Sequence, residues 1–128
     1  MPFDVSFDAE MRIVTVRVYG SATREDHYAA LRQSQQLCAQ HGCRGVLVDL
    51  RELDASGVTT LGCFSFGESM ATSKESRGIR FANVLPEEVQ SARNINFVST
   101  VASNRGALTQ EFTTIEDAKT WLLQDSEP

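Results

Sequence analysis

The chain opens on strict alternation. Phe3, Val5 and Phe7 alternate with Asp4, Ser6 and Asp8, the period of two that marks a half-buried strand. Ala9 and Glu10 make a short turn. A β-branched run, MRIVTVRV, then carries Ile13, Val14, Val16 and Val18, and Gly20 ends it. Two strands this close in sequence predict an antiparallel hairpin. The period then changes to that of a helix. Tyr28, Leu31 and Cys38 fall on one side, and Ala30, Ser34 and Leu37 widen the stripe. Arg32, Gln33, Gln36 and Gln40 face away. Thr23 reads as the N-cap, Glu25 and Asp26 place negative charge in the first turn, and Gly42 stands where a left-handed residue ends a helix.

The next stretch, Cys43 to Gly57, reads CRGVLVDLRELDASG. Its strand, about Arg44 to Leu50, has an apolar core, Val46-Leu47-Val48, that runs into Asp49. A polar loop with Asp54, Ser56 and Gly57 follows. Such a run is how a buried parallel strand delivers side chains to a sheet edge, so a site is expected there. Val58 to Lys74 is crowded with Thr, Ser and Gly, and its apolar residues do not form a narrow stripe. Its length and its place between strands predict a helix. Its small residues would permit close packing on the sheet or on a partner. Gly78 precedes a strand, IRFANVL, which Pro86 closes.

Pro86 suits the first position of a further helix, with Glu87 and Glu88 in its first turn. That helix runs to about Ser103 with Ile95, Val98 and Ala102 on one face, and Gly106 stops it. Ala107 to Phe112 reads as the last strand. Thr113 or Thr114 caps a last helix whose buried face is Ile115, Ala118, Trp121 and Leu122. The element order is therefore β-β-α-β-α-β-α-β-α. It predicts an α/β fold: a five-stranded mixed sheet with an antiparallel N-terminal hairpin, the rest largely parallel, and about four helices. One domain is expected over residues 1–124, with a frayed tail at 125–128.

Composition narrows the function classes. The 128 residues are 41% hydrophobic and 23% charged, a balance that fits a folded globular protein. A net charge of −5 disfavours nucleic acid and anionic membranes as partners. No apolar run approaches the roughly 20 residues a bilayer requires, and MPFDVSFDAE lacks the basic and apolar regions of a signal peptide. A cytoplasmic location is expected. Cys38, Cys43 and Cys63 then read as reduced, small hydrophobes, a Cys38–Cys43 bond being the lesser alternative.

The residues assemble no reaction centre. Gly57 to Gly62 has the glycine spacing of a phosphate loop, but Cys63 occupies the place of its lysine. His27 and His41 stand without a ligand set at metal spacing, and read as surface or edge histidines. No base is convincingly placed for a Cys63 nucleophile. No cofactor is implied. Two groups remain. Asp49, Asp54, Ser56 and Gly57 form either a recognition or phosphorylation turn, or helix caps together with a satisfied loop amide. Leu61, Phe64, Phe66 and Met70 form an apolar pocket, an interface or plain core.

Three stretches carry a resemblance: VLVDLREL (46–53), FVSTVASNRG (97–106) and EFTTIEDAKTWL (111–122). In order and spacing they resemble the SpoIIAA-like branch of the STAS and CRAL-TRIO group. That resemblance implies a non-enzymatic, cytoplasmic, single-domain protein. In the anti-sigma-factor antagonists of the group, a serine in a "DSSG"-like turn is phosphorylated. Here the turn is Asp54-Ala55-Ser56-Gly57, so Ser56 is the matching position. The turn lies closer to the strand aspartate than in the family, and Ala55 replaces a second serine. The sequence thus leads to a regulatory or protein-interaction domain, with a protein partner or homodimer. The alternative, from the CRAL-TRIO kinship, is a binder of a small apolar ligand or lipid.

Overall fold

A computed structural model describes residues 2–124 of the chain. The tail expected at 125–128 lies outside the described residues. Five strands form one sheet in the order β1 (Phe3–Asp8), β2 (Ile13–Val18), β3 (Gly45–Asp49), β4 (Arg80–Val84) and β5 (Leu108–Phe112). β1 pairs antiparallel with β2, and every other neighbouring pair is parallel. The connections are α1 (Arg24–His41), α2 (Thr60–Thr72), α3 (Val89–Asn104) and, after β5, α4 (Ile115–Leu123). A short 3-10 turn, Lys74–Ser76, joins α2 to β4. This is the element order read from the sequence.

Side-chain alternation divides the sheet into two faces. Val14, Val16 and Val18 of β2, Val46 of β3 and Phe81 of β4 pack with Ala30 and Cys38 of α1, Met70 of α2 and Ala102 of α3. The intervening residues Leu47, Ala82 and Val84 pack on the other face with Ala118 and Leu122 of α4. The inner strands β3 and β4 are thus buried on both sides, which is why their sequences read as continuous apolar runs.

Local chemistry fixes the element ends. Thr23 and Asp26 form a reciprocal capping box on α1: Thr23 Oγ1 accepts the Asp26 amide at 3.1 Å and Asp26 Oδ2 accepts the Thr23 amide at 2.8 Å. Gly42 closes α1 in the left-handed region at φ 64°. Two expectations need correction. Pro86 does not begin α3. Glu88 caps that helix instead, its carboxylate accepting the amides of Gln90 and Ser91 at 2.9 and 2.8 Å, so the first turn starts at Val89. Asp54 and Ser56 do not cap α2. Thr59, directly before the helix, does so by accepting the Gly62 amide at 3.0 Å.

The loops at the carboxyl ends of β2 and β3 are stitched together. The Gly20 amide donates to the Glu52 carbonyl at 3.0 Å, and the Asp54 amide to the Gly20 carbonyl at 2.9 Å. Arg17 reinforces the joint by an ion pair with Glu52. Among the described residues no helix is long and apolar enough to cross a membrane.

Candidate functional site

α2 is the element that departs from a simple layered packing. It packs chiefly along α3, touches α1 lightly, and stands off the sheet. The small residues of the Val58–Lys74 segment therefore serve a helix–helix contact, not the sheet. The close approach is at Gly67: a Cβ there would lie 2.6 Å from the Val98 carbonyl oxygen and 3.0 Å from Val101 Cβ. Only glycine lets the two backbones meet this closely.

Beneath α2 lies a cavity of about 480 Å³. Its floor is the inner face of β2, β3 and β4: Val16, Val18, Val48, Phe81 and Asn83. α1 supplies His27, Tyr28, Ala30 and Leu31. α2 supplies Leu61, Cys63, Phe66 and Met70, and α3 closes the far side with Ile95 and Val98. The exposed members of the lining, Arg24, Val58, Thr59 and Leu61, mark the mouth between the start of α1 and the start of α2. Leu61 is 74% exposed there. Volume and lining both fall in the range of small-molecule sites.

The apolar group singled out from the sequence divides at this helix. Leu61, Phe66 and Met70 line the cavity. Phe64 does not: it lies on another side of α2, under the Arg105 guanidinium at 4.9 Å, and Glu68 one turn on pairs with the same arginine at 3.4 Å. The Phe66 ring meets Tyr28 edge-on at 5.0 Å and His27 at 6.0 Å. His27 is therefore not a plain surface residue. Its half-buried ring lies at the cavity wall, and burial lowers its pKa although the Asp26 charge opposes the shift. His41 instead stacks flat on Phe7, 3.9 Å between centroids.

The polar turn after β3 resolves into two local units. Asp49 holds Arg51, through the backbone amide at 3.1 Å and a two-pronged guanidinium contact at 2.9 Å. Burial alone would raise the Asp49 carboxyl, but Arg51 more than offsets this and the pKa falls. Asp54 Oδ1 accepts the Ser56 hydroxyl at 2.6 Å and the Ser56 amide at 3.1 Å, and these bonds lower its pKa. Ser56 and Gly57 are exposed, while their neighbours Ala55 and Val58 line the cavity.

α3 pins this loop. The Ala55 amide donates to Ser91 Oγ at 2.8 Å, and Asn94 Nδ2 donates to the Ala55 carbonyl at 2.6 Å. Sequence reasoning missed Ser91, Asn94 and Asn83, because a polar residue in a helix or strand gives no sign of which distant backbone it serves. Gln35 was missed likewise: it is buried and donates to Ser76 Oγ at 2.9 Å, tying α1 to the turn after α2.

All three cysteines are free and buried. Cys43 donates to Cys38 Sγ at 3.2 Å, and burial with this contact pushes the Cys38 thiol up. Burial also raises Cys63, the cavity cysteine. Among the described residues no three His, Cys, Asp or Glu side chains form a group that could hold a metal ion. No protein-family model matches the chain, and no curated protein matches it.

Proposed function

We propose that this protein binds a small apolar molecule between its sheet and α2. The observation that carries the reading is the cavity itself: about 480 Å³, apolar over most of its wall, with a mouth at the ends of α1 and α2. An enclosed space of roughly 150 Å³ takes up a benzene. On that scale this cavity suits a ligand of about three rings, or some 18 non-hydrogen atoms. The wall is largely apolar, and an apolar occupant would take that surface out of water. The reading is one of binding rather than catalysis. The cavity thiol of Cys63 is held protonated by burial, and its surroundings offer hydrophobic contact. The element order supports kinship with the SpoIIAA-like branch of the STAS and CRAL-TRIO group, within which lipid binding is found.

N-phenyl-1-naphthylamine, whose fluorescence rises in apolar surroundings, tests the reading. Titration into the purified protein should give a saturable, one-to-one rise with a blue shift. Ser65 lines the cavity from α2, and Ser65→Phe would place a ring in the space. That variant should melt at or above the wild-type temperature and bind the dye at least about tenfold more weakly. No saturable signal, or equal binding by a folded Ser65→Phe, would count against an internal site.

A second reading attaches to Ser56. It is exposed, in a turn whose neighbours line the mouth, and its hydroxyl lies on Asp54. A phosphate there would add about −1.5 to −2 charge against that carboxylate and break the turn. Recovery of unmodified Ser56 alone, by mass spectrometry of protein from its native cytosol, would sink this reading.

A further inference from the structure

The cavity is apolar but carries an amide carbonyl acceptor on its floor, open to the cavity space. Asn83 lies on β4 with its side chain on the cavity face, and it is only 8% exposed. Its amide nitrogen is spent on β5: Nδ2 donates to Thr109 Oγ1 at 3.0 Å and, at a longer 3.4 Å, to Glu111 Oε2. The orientation follows from chemistry. A carboxylate can only accept, so the amide nitrogen must face Glu111, and the reverse rotamer would set two acceptors against each other. The Asn83 carbonyl oxygen is thereby turned away from β5; no protein donor among the described residues reaches it, and since none of their buried side-chain oxygens lacks a partner, it is open to the cavity space.

The other buried polar side chains of the lining are occupied. Ser34 donates to the Leu31 carbonyl at 2.7 Å, and the Ser99 hydroxyl pairs with that of Thr109 at 3.1 Å. A ligand that fills the cavity cuts this oxygen off from water: without a donor it strands the acceptor at a cost of about 1–3 kcal/mol, and with one it avoids that cost. A fatty carboxylate or an ether, both pure acceptors, would leave the oxygen unmatched. A hydroxyl or N–H on an otherwise apolar body would match it.

We infer that the ligand class of this cavity is an apolar ring compound bearing a hydrogen-bond donor, such as a phenol, a cyclic alcohol or an indole-type amine, with its donor seated on Asn83 Oδ1. The inference rests on the cavity-binding reading above and deepens it. Recognition is then asymmetric. Fit to the apolar walls is tolerant of shape, while loss of a single donor is penalised at one atom.

The test is a matched pair of probes, 2-naphthol and its methyl ether 2-methoxynaphthalene, titrated as competitors of N-phenyl-1-naphthylamine. The ether is the more hydrophobic of the two, so walls alone would favour it. Wild type should bind 2-naphthol about five- to tenfold more tightly than the ether. Asn83→Leu, which removes the acceptor at similar volume, should bind the ether at least as well as wild type does and lose the preference for the alcohol. Equal affinities in wild type, or a preference for the ether, overturn the donor assignment. So does a preference that survives in Asn83→Leu. Should Asn83→Leu fail to fold, the wild-type ratio alone decides. If the dye binds and the naphthalenes do not discriminate, only this inference falls. If neither dye nor naphthalene binds, the cavity reading falls with it.

Discussion

Ser91 shows how much one buried hydroxyl carries. It receives the Ala55 amide from the loop and donates to the Glu88 carboxylate at 2.7 Å, so the capped end of α3 and the loop after β3 share one contact. Ser91→Ala strands the Ala55 amide among buried neighbours. It should lower stability by about 1–3 kcal/mol in a urea titration. A loss under about 0.5 kcal/mol would mean the loop finds another acceptor. His27 gives a pH signature at the same scale. Its pKa lies below the ordinary 6.5 in the folded chain because the ring is buried. The unfolded chain therefore takes up this proton first, and stability is complete above pH 6.5 and erodes as pH falls below it. Asp26, Asp54 and Glu88 are lowered too, by hydrogen bonds. Their contribution is lost only as pH falls through the carboxylate range, a separate window. Melting temperature between pH 7 and 5 should thus decline in wild type and flatten in His27→Gln. An unchanged slope would show that His27 is not the group responsible.

At the scale of elements, the position of α2 depends on Gly67. Gly67→Ala would gain roughly 0.5–1 kcal/mol of helix propensity. The new methyl, however, would lie 2.6 Å from a backbone carbonyl, which cannot rotate away. The helices must part, at a net cost of about 1–3 kcal/mol. Gly57→Ala is the control: a Cβ there meets nothing within 4 Å, so it should be neutral or slightly stabilising. Chemical denaturation of the two variants side by side checks the contrast, and equal effects would remove Gly67 as the clamp. The same element shows why its helix was legible only in outline. Length and context placed it. Its facing was not readable, because Cys63, Gly67 and Met70 turn inward while Phe64 packs under Arg105 and Leu61 stands at the mouth.

For the molecule as a whole, the proposed binding has a signature in stability. A ligand that binds only the folded chain at 100 times its Kd adds about 2.7 kcal/mol. For a chain of 128 residues this should raise Tm by about 10 °C. Differential scanning calorimetry with saturating 2-naphthol checks it, and an unmoved Tm would contradict specific binding to the native state. The cavity also joins the parts of the molecule that the sequence treats separately: the strand floor, the start of α1, the turn after β3 and the face of α3.

The order of the elements, the parallel sheet and its hairpin were written in the local pattern. Alternation in β1, continuous apolar runs in β3 and β4, and the caps at Thr23, Gly42 and Thr114 are each decided within a few residues. Such signals survive in a sequence because backbone geometry and solvent alone select them. Glu88 shows the limit: its capping carboxylate displaced the start expected at Pro86 by three residues. Tertiary structure alone decided the cavity. Its volume comes from the separation of α2 from the sheet, set where Gly67 meets Val98, and the facing of its Asn83 carbonyl comes from Thr109 and Glu111 drawing the amide nitrogen toward β5. Both are contacts between residues distant in the chain, and no periodicity encodes the distance between a helix and the sheet it crosses.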